Sequence, residues 1–167
     1  EIMEQLVWTK ASNDSAGLQQ FYQSNKAKYL WEPSAAVYLF NCNTGDIAAT
    51  AVAALQAGKD WKLLAEESDG KIQSDSGRYD LAQIQLPAGT IAKEGLITPP
   101  TINKGDSTAS FVQILQLYPA GQQRSFNEAR GIVINEYQNF LEEKWISALK
   151  KKYPVKVNEA VFKEMLK

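Results

Sequence analysis

Ala35-Ala36-Val37-Tyr38-Leu39-Phe40-Asn41-Cys42 is a short apolar and aromatic run, bounded by Pro33 and Gly45. Its β-branched and aromatic content and its length predict a strand buried on at least one face. Side chains alternate along a strand, so Tyr38 and Phe40 share one face while Val37 and Leu39 share the other. A second run, Ser110 to Tyr118 (SFVQILQLY), stops at Pro119 and predicts another strand. Two such strands with helices before, between and after them make an α+β chain.

Outward from the first strand, Asp46 to Ala57 is alanine-rich and ends at Gly58, which predicts a helix. Asp60 caps a second, short helix carrying Trp61, Leu63 and Leu64. Residues 69–77 (DGKIQSDSG) are polar and rich in turn formers, so they predict a loop, with a short strand over 77–84. Residues 86–107 hold Gly89, Gly95, Pro99, Pro100 and Gly105 and predict a loop with little regular structure. Pro99-Pro100 offers a cis bond, a rigid turn, or simply a segment that cannot join a helix.

The ends of the chain read as helical. Asp14 caps a helix over 14–29 with Leu18, Phe21, Tyr22 and Tyr29 at helical spacing, ended by Trp31-Glu32-Pro33. Ser125 and Glu128 have capping-box spacing, and a helix is predicted from there to about Lys152, roughly 40 Å long. Its apolar stripe runs through Ile132, Val133, Tyr137, Phe140, Leu141, Trp145, Ala148 and Leu149. That stripe is wide enough to require cover from the 14–29 helix, from a further segment or from a partner. Lys150 to Lys152 complement the helix dipole. Pro154 breaks the chain, and Asn158 caps a final helix carrying Val161, Phe162, Met165 and Leu166.

Composition bounds the chemistry. The 167 residues suffice for one medium domain or two small lobes. Eighteen basic and 19 acidic side chains leave a net charge of −1, without the basic excess of a nucleic-acid surface. No apolar run reaches the roughly 20 residues of a membrane span. The opening at Glu1 suggests a piece of a longer protein, and no secretion signal is visible. There is no histidine, which removes imidazole as base or ligand. The single cysteine, Cys42, excludes an internal disulfide and a thiolate-rich zinc site, and without an imidazole base it reads as a buried strand thiol. The adjacent acids Glu66-Glu67 and Glu142-Glu143 point different ways on their helices and read as solvated.

Both ends resemble the parvulin-bearing periplasmic foldases, the SurA and PrsA type of peptidyl-prolyl isomerase and chaperone. At the front the matching residues are Lys10-Ala11 through Asp14, Gly17-Leu18, Phe21-Tyr22, Asn25, Lys28-Tyr29 and Trp31. At the back they are Glu128-Ala129-Arg130-Gly131, Tyr137-Gln138, Leu141-Glu142, Trp145-Ile146, Leu149-Lys150 and Tyr153-Pro154-Val155-Lys156-Val157-Asn158. The back block is the more specific. Between them the order strand, helix, helix, strand, loop, strand resembles a parvulin domain, and Gly95-Leu96-Ile97-Thr98-Pro99 is similar to that family's loop before its last strand.

The resemblance implies a small antiparallel sheet with flanking helices plus a long C-terminal helix. It divides the chain into an N-terminal helical segment (1–31), a degenerate parvulin-like domain (32–120), and a C-terminal part (121–167) packing with the first segment. In the family one histidine stands on the first strand and one on the last. Here those places hold Val37 or Tyr38, and Ser110, while Asp69 is a candidate for the family's acidic position. The helix that supplies part of the proline pocket is shortened to Leu86–Gly95.

The expectation is a periplasmic or envelope foldase-type domain that captures extended segments of unfolded client polypeptides without a cofactor. Tyr38, Phe40, Tyr79, Ser110 and Phe111 are the candidate peptide-binding residues, since aromatic rings give affinity with few fixed polar contacts. Phe40 and Phe111 also read as core. Two alternatives stay open: a prolyl isomerase with a histidine-free site, where the Tyr38 or Ser110 hydroxyl donates to the twisted amide, and a scaffolding or dimerisation domain serving the remainder of its own longer chain.

Overall fold

In the computed structural model residues 8–154 are described, and they fall into two compact units, residues 30–122 and the helices on either side of them in sequence. The expected final helix at Asn158 lies outside the described residues.

In the first unit a four-stranded sheet is built from β1 (Ser34–Cys42), β2 (Ile72–Asp80), β3 (Thr101–Ile102) and β4 (Ala109–Tyr118). The order is β2-β1-β4-β3, with every neighbouring pair antiparallel. The apolar run around Val37 is thus a central strand, paired on both edges. Its register sets Phe40 opposite Phe111 and Val37 opposite Ile114, with an irregularity between Ala36 and Val37.

Alternation then sorts the core into two layers. On one face Phe40, Cys42 and Phe111 pack under α3 (Gly45–Gln56) and α4 (Trp61–Glu66), against Ala48, Ala51, Leu55 and Leu64. Thr44 and Asp60 cap these helices through their side-chain oxygens. On the other face Ala35, Val37, Val112 and Ile114 pack with Ile84, and Leu39, Tyr79, Leu86 and Leu96 close around them. This cover comes from the chain after β2. Gly95 N–H donates to Ile114 O (2.9 Å), Ile114 N–H to Leu96 O (2.8 Å) and Thr98 N–H to Val112 O (2.9 Å), which straps the segment along β4. Gly95 takes a positive φ of 77° there, a conformation that favours glycine.

Two expectations are corrected. Of residues 69–77 only 69–71 form a turn: β2 begins at Ile72 and ends at Asp80, so the strand expected over 77–84 starts earlier and gives way to a 3-10 turn at Leu81–Gln83. β2 is an outer strand, so its polar side chains meet solvent while its backbone pairs with β1 over nine positions. No helix forms over 86–95, the place of the shortened pocket helix, and residues 101–102 form a two-residue strand inside the expected loop.

The second unit is helical: α1 (Thr9–Asn13), α2 (Ser15–Asn25) followed by one 3-10 turn, and α5 (Phe126–Lys152). The capping box forms as expected, with Ser125 N–H donating to Glu128 Oε2 (2.6 Å) and Glu128 N–H to Ser125 Oγ (3.3 Å). Ala11, Leu18, Tyr22 and Tyr29 meet Ala129, Val133 and Tyr137 in one core. Tyr22 donates to Arg124 O (2.6 Å) and Tyr29 to Glu136 Oε2 (2.8 Å). Burial and the Glu136 carboxylate push the Tyr29 hydroxyl far above its ordinary range. The α2 helix thus covers the first half of the α5 stripe; farther along, Phe140 is 44% exposed.

Candidate peptide-binding groove

The face of the sheet opposite α3 and α4 is incompletely covered. Where the segment after β2 leaves the sheet, a groove of about 240 Å³ opens, lined by Leu39 of β1, Tyr79 of β2, Ser110 and Val112 of β4, and Gln83 and Ile84 of the turn. The register explains the membership. Asn41 stands opposite Ser110, Leu39 opposite Val112 and Asp75, and Ala35 opposite Tyr79, so all of these point to one side. The volume is below that of sites for drug-sized ligands and suits one or two side chains of an extended chain.

Tyr79 forms the aromatic wall. Its hydroxyl donates to Asp75 Oδ2 (3.1 Å), and Asp75 Oδ1 accepts from Ser76 N–H (2.8 Å). Desolvation first, then the bond to Asp75 and its charge, push the pKa of this tyrosine above its ordinary value. Among the described residues the Ser110 hydroxyl has no hydrogen-bond partner, and it is half-buried at the groove.

Of the five residues expected from the sequence, Phe40, Tyr79, Ser110 and Phe111 belong to the groove lining and Tyr38 does not. Tyr79 and Ser110 meet at the groove. Phe40 and Phe111 have their rings in the core under the helices, 1% and 2% exposed and stacked with centroids 4.5 Å apart. Their positions on β1 and β4 line the groove, while the register turns their rings to the helix-covered face. Tyr38 shares that face and stacks on Trp61 at 4.4 Å, beside a separate notch with Gln113 and Asp60. The functional reading missed Asp75, Leu39, Gln83 and Ile84. A strand placed at 72–80 from the alternation of Ile72, Ser74 and Ser76 would have set Asp75 and Tyr79 on one face.

Val37, one candidate position for the family's first histidine, is fully buried. Tyr38 and Ser110 lie on opposite faces and cannot act on one bond. Asp69 adopts a left-handed turn (φ 51°) beside Gly70, and lines a notch with Asp46, Lys59 and Glu67 rather than the groove. Burial raises the Cys42 thiol, which keeps it protonated in the core. Among the described residues no three His, Cys, Asp or Glu side chains gather to hold a metal ion, and no helix is long and apolar enough to cross a membrane.

No family model and no curated protein sequence matches the chain. Among solved structures it is similar to SurA-like and PrsA foldases. One comes from work on two SurA-like chaperones of Campylobacter jejuni, with 20% identity over 94% of this chain and 68% of that one, at a TM-score of 0.37. Another is the foldase PrsA of Streptococcus pneumoniae, with 12% identity over 98% and 65%, at 0.39. A third is the peptidylprolyl isomerase PrsA of Bacillus anthracis, with 13% identity over 86% and 70%, at 0.37. The chain spans between 56% and 70% of the length of such structures.

Proposed function

We propose that this chain is a foldase-type domain that binds extended segments of unfolded polypeptide and has lost prolyl isomerase chemistry. The observation that carries the reading is the groove beside Tyr79, an aromatic and aliphatic slot sized for side chains rather than for a cofactor. The sequence resemblance to the periplasmic foldases supports it, and with it an envelope location. A balanced charge, 18 basic against 19 acidic residues, agrees with a protein client rather than a nucleic acid. Capture is weak and sequence-tolerant, because one aromatic wall and few polar contacts give little selectivity. The remainder of a longer chain is the natural source of any catalytic partner.

The test is fluorescence anisotropy with a labelled extended apolar peptide, together with suppression of aggregation of an unfolded client. The expected result is micromolar-range binding, reduced about tenfold by Tyr79→Ala, a loss on the order of 1.4 kcal/mol. Unchanged binding in that variant, or no protection of the client at several-fold excess, counts against the reading. A second reading, an atypical isomerase, is favoured by one observation: the Ser110 hydroxyl faces the groove without a partner and is available to donate to a twisted amide. Acceleration of a proline-limited refolding reaction that disappears in Ser110→Ala selects it; no acceleration leaves capture alone.

A further inference from the structure

The wall residue of the groove is held in an unusual way. Asp75, Gly77 and Tyr79 alternate along β2 on the groove face, opposite Leu39, Val37 and Ala35. The Tyr79 side chain lies back along its own strand, over Gly77, until its hydroxyl reaches Asp75 Oδ2 at 3.1 Å. A Cβ on Gly77 would stand 2.9 Å from Tyr79 Cε2 and 3.2 Å from Cζ, closer than a side chain tolerates. Gly77 has no positive φ among the backbone exceptions, so the absent side chain, not backbone freedom, is what the position uses. The other Asp75 oxygen accepts from Ser76 N–H at 2.8 Å, which fixes the carboxylate on the strand before it meets the phenol.

We propose that Asp75 and Gly77 are positioning residues that tie the Tyr79 ring flat against β2 and so set the width of the groove and the size of client side chain it accepts. The proposal rests on the capture reading above and says which residues tune it. An untethered tyrosine samples several rotamers, and each ligand pays ordering entropy to stop it. Tied down, the ring is a fixed wall facing Ile84 and Val112 across about 240 Å³, room for a large side chain. The two positions make different predictions. Asp75→Ala frees the ring, which loosens the wall and weakens discrimination by size. Gly77→Ala lifts the ring off the strand into the slot, which narrows it and favours smaller side chains.

The experiment uses the full chain and two labelled extended peptides that differ only in a central Leu or Trp. Tyrosine ring NMR resonances, assigned with Tyr79→Phe, are recorded in parallel. The expected result is displaced Tyr79 resonances in both variants. The Trp-over-Leu preference should fall toward equality in Asp75→Ala and shift toward Leu by about threefold in Gly77→Ala, roughly 0.65 kcal/mol by the affinity relation. Asp75→Asn, whose amide oxygen still takes the hydroxyl, should restore most of both signals. Ring resonances that stay in place in Asp75→Ala overturn the tether, and a moved ring with an unchanged preference overturns its role in selection. If the parent chain binds neither peptide, the capture reading fails and size selection fails with it, while the ring resonances still decide the tether.

Discussion

The molecule uses one chemical arrangement twice, in two regions with different fates. In the helical unit Asp14 Oδ1 accepts from Gly17 N–H (2.8 Å) and Oδ2 accepts from the Tyr137 hydroxyl (2.8 Å), while a Cβ on Gly17 would collide with both side chains. In the sheet unit Asp75 bridges Ser76 N–H and the Tyr79 hydroxyl beside Gly77. Each is a carboxylate that joins a backbone donor to a phenol where a glycine leaves room. Tyr137 is 8% exposed and packs on Phe21 and Phe140, so its tie locks helix to helix. Tyr79 is half-buried at the edge of a groove, so its tie shapes a surface. The same bonds hold a buried ring between two helices in one place and, on the proposal above, set a recognition surface in the other.

The comparison breaks most visibly in the ring deletions. Tyr137→Ala should destabilise the fold by about 3–5 kcal/mol, from the lost ring packing, the cavity and the weakened Asp14 bridge. Tyr79→Ala should cost about 1 kcal/mol or less and act on peptide affinity instead. Urea titrations of both variants decide this, and equal losses would erase the distinction.

The glycines give the next largest contrast. Gly17→Ala meets Asp14 and the Tyr137 hydroxyl, which are bonded to each other, and should cost about 1–3 kcal/mol by overpacking. Gly77→Ala meets only a ring that has open space to move into, and its unfolding midpoint should stay within about 0.5 kcal/mol of the parent. Tyr137→Phe isolates the bond itself and should cost about 1.5–3 kcal/mol, the range for hydrogen bonds to charged groups, with the ring retained.

The smallest effect is alkaline. Tyr29, Tyr79 and Tyr137 all ionise above their ordinary value of 10.0, through desolvation first and then their carboxylate partners. Above about pH 10 the unfolded chain therefore releases these protons before the folded one, and stability falls as pH rises; below that value these groups contribute no slope. Denaturation from pH 8 to 11 should show a plateau followed by a decline. The decline should be shallower in both Tyr137→Phe and Tyr79→Phe, each of which removes one raised hydroxyl.

Periodicity and punctuation made much of the architecture legible. The run at 35–42 gives a central strand because it is apolar in both directions, and the Ser125/Glu128 spacing places the start of the 27-residue α5. The groove was legible only in part. Residues 69–77 look like a loop because an outer strand needs no apolar face to be a strand; its hydrogen bonds come from β1, a neighbour distant in sequence. A strand that begins at Ile72 is what brings Asp75 onto the same face as Tyr79.

What the sequence alone determined is local: which segments are helical, where they are capped, and that no imidazole exists to do chemistry. It also determined that Tyr38 and Phe40 share a face, since alternation is a property of a single strand. Only the tertiary structure decided which face is buried. Register set Phe40 against Phe111 under α3 and left Leu39, Tyr79 and Ser110 on the side that the segment after β2 covers incompletely. Register is a relation between strands far apart in the chain, set by the sum of their packing, and no single stretch of residues contains it.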